Sequence, residues 1–149
     1  FSTELRADER AARIRRTLEL LRLPPDIVAE HAWDLSPVEN MRVSLARALV
    51  LKPRILVSNS AFMDLAPTIR AEMMNISLRL RSEYHITQIF AARNIDIARK
   101  ISDRILILAN GAVEEFGETD QVLGNPQAAG TKKILENFST RYRYSPEKS

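Results

Sequence analysis

Apolar residues along the chain fall at two spacings, and the changes between them predict its elements. Ala11, Ile14, Leu18 and Leu21 recur at steps of three and four, which gathers them on one face of a helix over 7–23. Asp8 and Glu9 lie in its first turn, where negative charge suits the helix dipole. Leu23-Pro24-Pro25 ends it, because proline cannot continue a helix, and 26–30 makes at most a short helical turn. Ser36, Pro37 and Glu39 then form a helix-start signature. The serine accepts an orphan backbone N–H, proline suits the first helical position, and the glutamate reaches back to complete a capping box. Val43, Ala46, Leu49 and Val50 carry that helix forward. Ile69, Met73, Ile76 and Leu80 predict another helix from 67 to about 81. Asn94 is placed to cap a short helix over 95–101, and 132–138 reads as the last helix.

Between the helices stand short continuous apolar runs at 54–60, 86–91 and 104–109, the texture of strands buried on both faces. Asn110-Gly111 is a strong two-residue hairpin signal and turns the third run into a short partner over 112–115. Strand alternating with helix predicts an α/β fold with a parallel sheet. Three such strands and one hairpin strand make a thin sheet, and residues 1–50 carry no strand signal. The expected organisation is therefore the second half of an α/β domain: a helical segment over 1–50, an incomplete core over 51–140, and a polar tail over 141–149. A half-built sheet should leave an unpaired edge or an apolar face, so self-association or marginal stability is expected of the chain by itself.

Composition narrows this without redirecting it. The 149 residues are 45% apolar and 28% charged, as in ordinary globular domains. No apolar run approaches the roughly 20 residues that span a bilayer, and no secretory leader pattern opens the chain. The absence of cysteine excludes disulfides and thiolate metal sites. His31 and His85 lack metal-ligand spacing. Twenty-two basic against nineteen acidic residues give a net charge of +3, too mild and too mixed for a nucleic-acid binder. Arg6, Arg10, Arg13, Arg15 and Arg16 do cluster, but acidic residues interleave with them, as on a solvated helix face.

Within this frame LSPVENMRVSLARALVLKPRILVSNS, from Leu35 to Ser60, resembles the segment of ABC-transporter ATPase subunits that runs from the signature helix to the Walker B strand. Arg42, Ala46, Arg47, Ala48, Leu49, Lys52 and Pro53 match in register. Ile101-Ser102-Asp103-Arg104, an apolar strand and Asn110-Gly111 resemble the segment beyond the family's switch histidine. Glu114-Glu115-Phe116-Gly117, Val122-Leu123 and Asn125-Pro126 fit as well. The likeness runs from about residue 8 to 138 and is nearest to the peptide importers.

The resemblance implies a P-loop-NTPase-like three-layer core, ATP and Mg²⁺ as ligands, and transmembrane permease subunits as partners. It also implies a second ATPase subunit or a self-dimer, at the cytoplasmic face of a membrane. The family's signature loop aligns with Leu35, Ser36, Pro37, Val38 and Glu39. Proline and valine stand where two glycines let a phosphate approach, and a carboxylate replaces a neutral amide. A carboxylate about 4 Å from a phosphate charge costs ~1 kcal/mol even in bulk water. The Walker B metal position falls on Asn59, the catalytic glutamate on Ser60, and the switch histidine on Arg93. In the loop after Ser60 the family's terminal aspartate becomes Ala66, and only Leu65 is kept. None of the four glycines precedes a lysine in P-loop spacing, so tight binding of ATP by this chain alone is not expected.

Three functions are then in competition: an ATP-binding subunit of a peptide-type transporter with doubtful hydrolysis, a non-catalytic relative that pairs with an active ATPase, and a membrane-surface or nucleic-acid module using the basic N-terminal helix.

Overall fold

The computed structural model describes residues 6–59, 65–92 and 94–143. They fall into two compact units, one running to Ser58 and resuming through Ile89, the other holding Asn59 and the chain from Phe90 onward.

In the first unit α1 (Ala7–Leu20) leads through a 3-10 turn at Pro25–Ala29 to α2 (Pro37–Leu49). The first core residues follow the predicted face of α1: Leu18 and Leu21 are buried, joined by Leu23 and Ile27 of the connection. Ala11 is exposed, so this face is covered only toward its C-terminal end. A guanidinium nitrogen of Arg13 donates to the Val50 carbonyl at 3.3 Å and ties α1 to the end of α2. The chain leaves α2 through Lys52, which adopts φ 52° while its N–H bonds the Leu49 carbonyl at 2.9 Å. That left-handed closure, followed by proline, is how the helix stops without a glycine.

Strand β1 (Ile55–Asn59) and strand β2 (Thr87–Ala91) are neighbours in a two-stranded sheet, joined through α3 (Pro67–Ser82). Met73, Ile76 and Leu80 of α3 are buried, as is Leu56 of β1. Gln88 locks β2 to α3: its amide accepts the Ser77 hydroxyl at 2.7 Å and donates to the Ser77 carbonyl at 2.8 Å.

The second unit begins with α4 (Ile95–Ile101). Asn94 caps it, its side-chain oxygen accepting the N–H groups of Asp96 and Ile97 at 2.9 and 3.2 Å. Strand β3 (Arg104–Ala109) turns at Asn110-Gly111 into antiparallel β4 (Ala112–Glu118). Asn110 at φ 51° and Gly111 at φ 77° give the two positive torsions of a type I′ hairpin turn. Helices α5 (Thr119–Gly124) and α6 (Ala129–Arg143) complete the unit. Ile97, Ile101, Ile107, Val122 and Leu123 form its core.

The α/β class and the order of elements agree with the sequence reading, but the strands pair differently. Among the described residues they form two separate ribbons, β1–β2 and β3–β4, where three parallel strands in one sheet were expected. Strand β3 takes its partner from across a two-residue turn, the pairing with the smallest loop-closure cost. Strand β4 runs to Glu118, beyond the expected 115, and shifts register between Ile107 and Leu108 so that Glu114 is the extra residue of a bulge. Helix α6 runs over 129–143, longer than the expected 132–138, and takes in the start of the supposed tail. Its early start has a cause in β4. The Glu115 carboxylate accepts the N–H of Gln127 at 3.0 Å and of Ala128 at 3.2 Å, satisfying orphan donors ahead of the helix.

Candidate nucleotide-facing corner

Leu35–Glu39 leads into α2, and its geometry is that of a closed capping box. Ser36 is extended (φ −60°, ψ 158°), and its Oγ accepts the Glu39 N–H at 3.3 Å. The Glu39 carboxylate in turn accepts the Ser36 backbone N–H at 2.9 Å and the Ser36 hydroxyl at 2.6 Å. The Asn40 N–H bonds the Ser36 carbonyl at 2.9 Å. Between Ser36 and Asn40, three backbone N–H groups are thus spent inside the helix start, and Pro37 has none. The hydroxyl of Ser36, the side chain that signature-loop chemistry would use, is turned onto a carboxylate. These bonds hold the Glu39 carboxyl below the usual range, the Ser36 hydroxyl contributing most and the Ser36 N–H next. Glu39 is therefore an anion at neutral pH.

Helix α2 is fixed one turn further on. Arg42, with a side chain only 12% exposed, donates to the Glu72 carboxylate of α3 at 2.8 Å and to the Arg22 carbonyl beyond α1 at 3.3 Å. Arg22 reaches the other oxygen of Glu72 at 3.2 Å. One carboxylate thus collects two guanidinium groups and pins three helical elements. On the loop ahead of Ser36 the Asn40 amide donates to the Ala32 carbonyl at 3.2 Å. His31 and Trp33 stack there at 4.5 Å, almost parallel, with Trp33 80% exposed.

Of the residues singled out from sequence, the fold brings Ser36 and Glu39 into contact, with Leu35 and Val38 half-buried beside them. Asn59 closes β1 with its side chain exposed. Ser60 and Arg93 lie outside the described residues, as does the loop segment before Leu65. Among the described residues no group of three or more His, Cys, Asp or Glu is placed to hold a metal ion. No described helix is long and apolar enough to cross a membrane. Sequence reasoning missed Glu72, which follows Arg42 by 30 positions with no local pattern linking them. The helical period of α3 places Glu72 beside Met73 but names no partner. It also missed Glu115, matched only as part of a family pattern.

No family model matches the chain. The curated proteins do contain relatives. Over 135 residues the chain is 31% identical to the putrescine export system ATP-binding protein SapF of Escherichia coli, covering 91% of this chain and 50% of that protein. The peptide transport system ATP-binding protein SapF of Salmonella typhimurium matches with the same identity and coverage. Among solved structures, cbiO1 from Clostridium perfringens, part of an ABC transporter complex, superposes with a TM-score of 0.72 at 23% identity, over 95% of this chain and 54% of that one. The chain thus spans about half the length of the relatives it matches. Its homologues are ATP-binding subunits of ABC transporters, and its fold is that of part of an ABC ATP-binding cassette.

Proposed function

We propose that this chain is the portion of an ABC ATP-binding subunit that runs from a helical subdomain, ending in the signature-like helix, through the C-terminal half of the core, acting in a peptide-type transporter at the cytoplasmic face of a membrane. Its partners are transmembrane permease subunits and a second ATPase subunit, either another protein or a copy of this one. The observation that carries this reading is the 31% identity to SapF over 135 residues. The solute class is less constrained, since SapF proteins are named for putrescine in one species and peptide in another.

In such subunits the signature loop of one cassette faces ATP held by the other. The loop here does not fit that ligand. The Ser36 and Glu39 N–H groups and the Ser36 hydroxyl are held in the capping box, Pro37 removes one N–H, and the ionised Glu39 carboxylate repels a phosphate. No step through ATP is therefore assigned to Ser36. Asn59 retains an acceptor oxygen at the Walker B position but not the charge that holds Mg²⁺, and Ser60 has no carboxylate with which to orient water.

This favours the second reading within the same family: a non-catalytic or regulatory cassette that keeps the dimer geometry while its partner hydrolyses ATP. The basic N-terminal helix supports no separate module, because Asp8 and Glu9 share its first turn and Arg6 pairs with Asp8 at 3.6 Å.

The test is steady-state ATP turnover by the membrane complex that contains this chain, with and without the paired change Asn59→Asp and Ser60→Glu. A gain of about tenfold, equivalent to 1.4 kcal/mol, is expected if the altered residues limit hydrolysis. An unchanged rate overturns the assignment of Asn59 and Ser60.

A further inference from the structure

Asn110 and Gly111 form the whole of the turn between β3 and β4, and both are exposed. The ladder closes just outside them, at Ala109 opposite Ala112. Among the described residues neither Asn110 nor Gly111 takes part in a hydrogen bond, so the Asn110 side-chain amide and the Gly111 nitrogen are both unengaged. A Cβ built at Gly111 would meet nothing within 4 Å, so this nitrogen is reached through open space. Of the seven asparagines in the chain, only Asn110 precedes glycine. The Asn40 amide is bonded to the Ala32 carbonyl, the Asn94 side chain caps α4, and Asn125 is followed by proline, which has no N–H to react.

The carbonyl carbon of an asparagine side chain is open to attack by the backbone nitrogen of the next residue. Here the Gly111 nitrogen would bond to Asn110 Cγ and close a five-membered imide ring. The Cγ–Nδ2 bond breaks, and the proton of the Gly111 nitrogen leaves through solvent with the departing nitrogen as ammonia. Glycine favours this step because it has no Cβ to crowd the ring. Attack also needs rotation about the Asn110 backbone, and no hydrogen bond at either residue opposes it. Water, the one other reactant, then opens the ring. Addition at the side-chain carbonyl gives aspartate, and addition at the main-chain carbonyl gives isoaspartate, whose Cβ and Cγ have become part of the main chain.

We infer that Asn110-Gly111 is a site of spontaneous modification, deamidating through the cyclic imide, and that its isoaspartate product undoes the closing end of the β3–β4 hairpin. The turn needs positive φ at both central residues, and holds 51° at Asn110 and 77° at Gly111. Aspartate visits that left-handed region as asparagine does, so the aspartate product keeps the turn and adds only a negative charge. Isoaspartate lengthens the main chain by a methylene, and a two-residue turn so lengthened no longer brings Ala109 opposite Ala112. The reaction involves residues of the second unit and water alone, and it proceeds whether or not this chain handles a nucleotide.

The experiment incubates the folded chain at mildly alkaline pH and follows each asparagine by peptide mass mapping. Isoaspartate is detected by methyl transfer from an isoaspartyl carboxyl methyltransferase. Asn110 is expected to convert about tenfold faster than Asn59, whose following serine carries a side chain. Modified chain, separated by ion exchange, is expected to lose amide-exchange protection at Ala112 in its isoaspartate fraction. Asn110→Asp supplies the added charge without the added methylene and is expected to keep that protection. Asn110→Gly preserves a turn with positive φ at both positions and is expected to show no conversion there. Conversion at Asn110 no faster than at Asn59 overturns the inference. So does a product that is aspartate alone, which would exclude attack by Gly111, or an isoaspartate fraction that keeps its protection at Ala112.

Discussion

Arg42 of α2 and Glu72 of α3 meet at 2.8 Å, and both side chains are largely withdrawn from water. Arg22 joins the same carboxylate from a side chain that is 74% exposed. The two ion pairs differ in worth because solvent screens only one of them. Glu72→Gln leaves the Arg42 guanidinium with a neutral partner and is expected to cost about 3 kcal/mol, as for a broken buried pair. Arg22→Gln is expected to cost less than about 1 kcal/mol. Urea unfolding midpoints of the two variants provide the comparison, and equal losses would mean that the cluster is held by something other than Arg42.

The capping box at Ser36 predicts both a stability and a pH effect. Ser36→Ala removes the acceptor for the Glu39 N–H and is expected to cost about 1 kcal/mol. The Glu39 carboxyl is lowered from 4.5 in the folded chain, so its contribution is present above that value and is lost as pH falls through the lower folded-state value. Unfolding midpoints measured from pH 7 down to 3 should therefore fall more steeply for the parent chain than for Glu39→Gln.

Glu115 makes a matching prediction at the other end of the chain. Its carboxyl is lowered mainly by the Gln127 N–H, which it accepts from within β4. Amide exchange at 127–131 should accelerate in Glu115→Gln at neutral pH. In the parent chain the same loss of protection, relative to the intrinsic exchange rate at each pH, should come only as pH falls through the lowered folded-state value, since the carboxylate is the bonded form. Exchange that is insensitive to the substitution would show that α6 is anchored by its buried face alone.

Lys52 holds a left-handed torsion at φ 52° that side chains resist. Lys52→Gly relieves roughly 1 kcal/mol of that strain, and the greater freedom of glycine in the unfolded chain offsets about half of it. A small rise in thermal midpoint is expected, and a fall would assign the lysine side chain a contact of its own.

What was legible in the sequence was local. Ser36, Asn94 and Asn110-Gly111 each declare their role within four residues, through side-chain caps and a turn that needs positive φ, and each adopts it. The α2 and α3 stripes were readable because helical period sorts core from surface within one element. Contacts between distant positions were not readable. Glu72 selects Arg42, and Glu115 caps α6 from across 12 positions, so the helix starts earlier than its own residues declare. The strand runs gave no pairing order, because apolar character does not name a neighbour. The same limit applies to the site. The substitution of glycines by Pro37 and Val38 was visible, but the turn of the Ser36 hydroxyl onto Glu39 emerged only from the fold.

The decisive measurement is a fluorescence titration of the chain with Mg²⁺ and an environment-sensitive ATP analogue. A corner whose Ser36 hydroxyl and Ser36 and Glu39 N–H groups are held in its own helix cap should show no saturable binding up to about 1 mM, a free energy weaker than about −4 kcal/mol. Saturable binding in the low micromolar range, abolished by Ser36→Ala, would contradict it and return Ser36 to phosphate recognition.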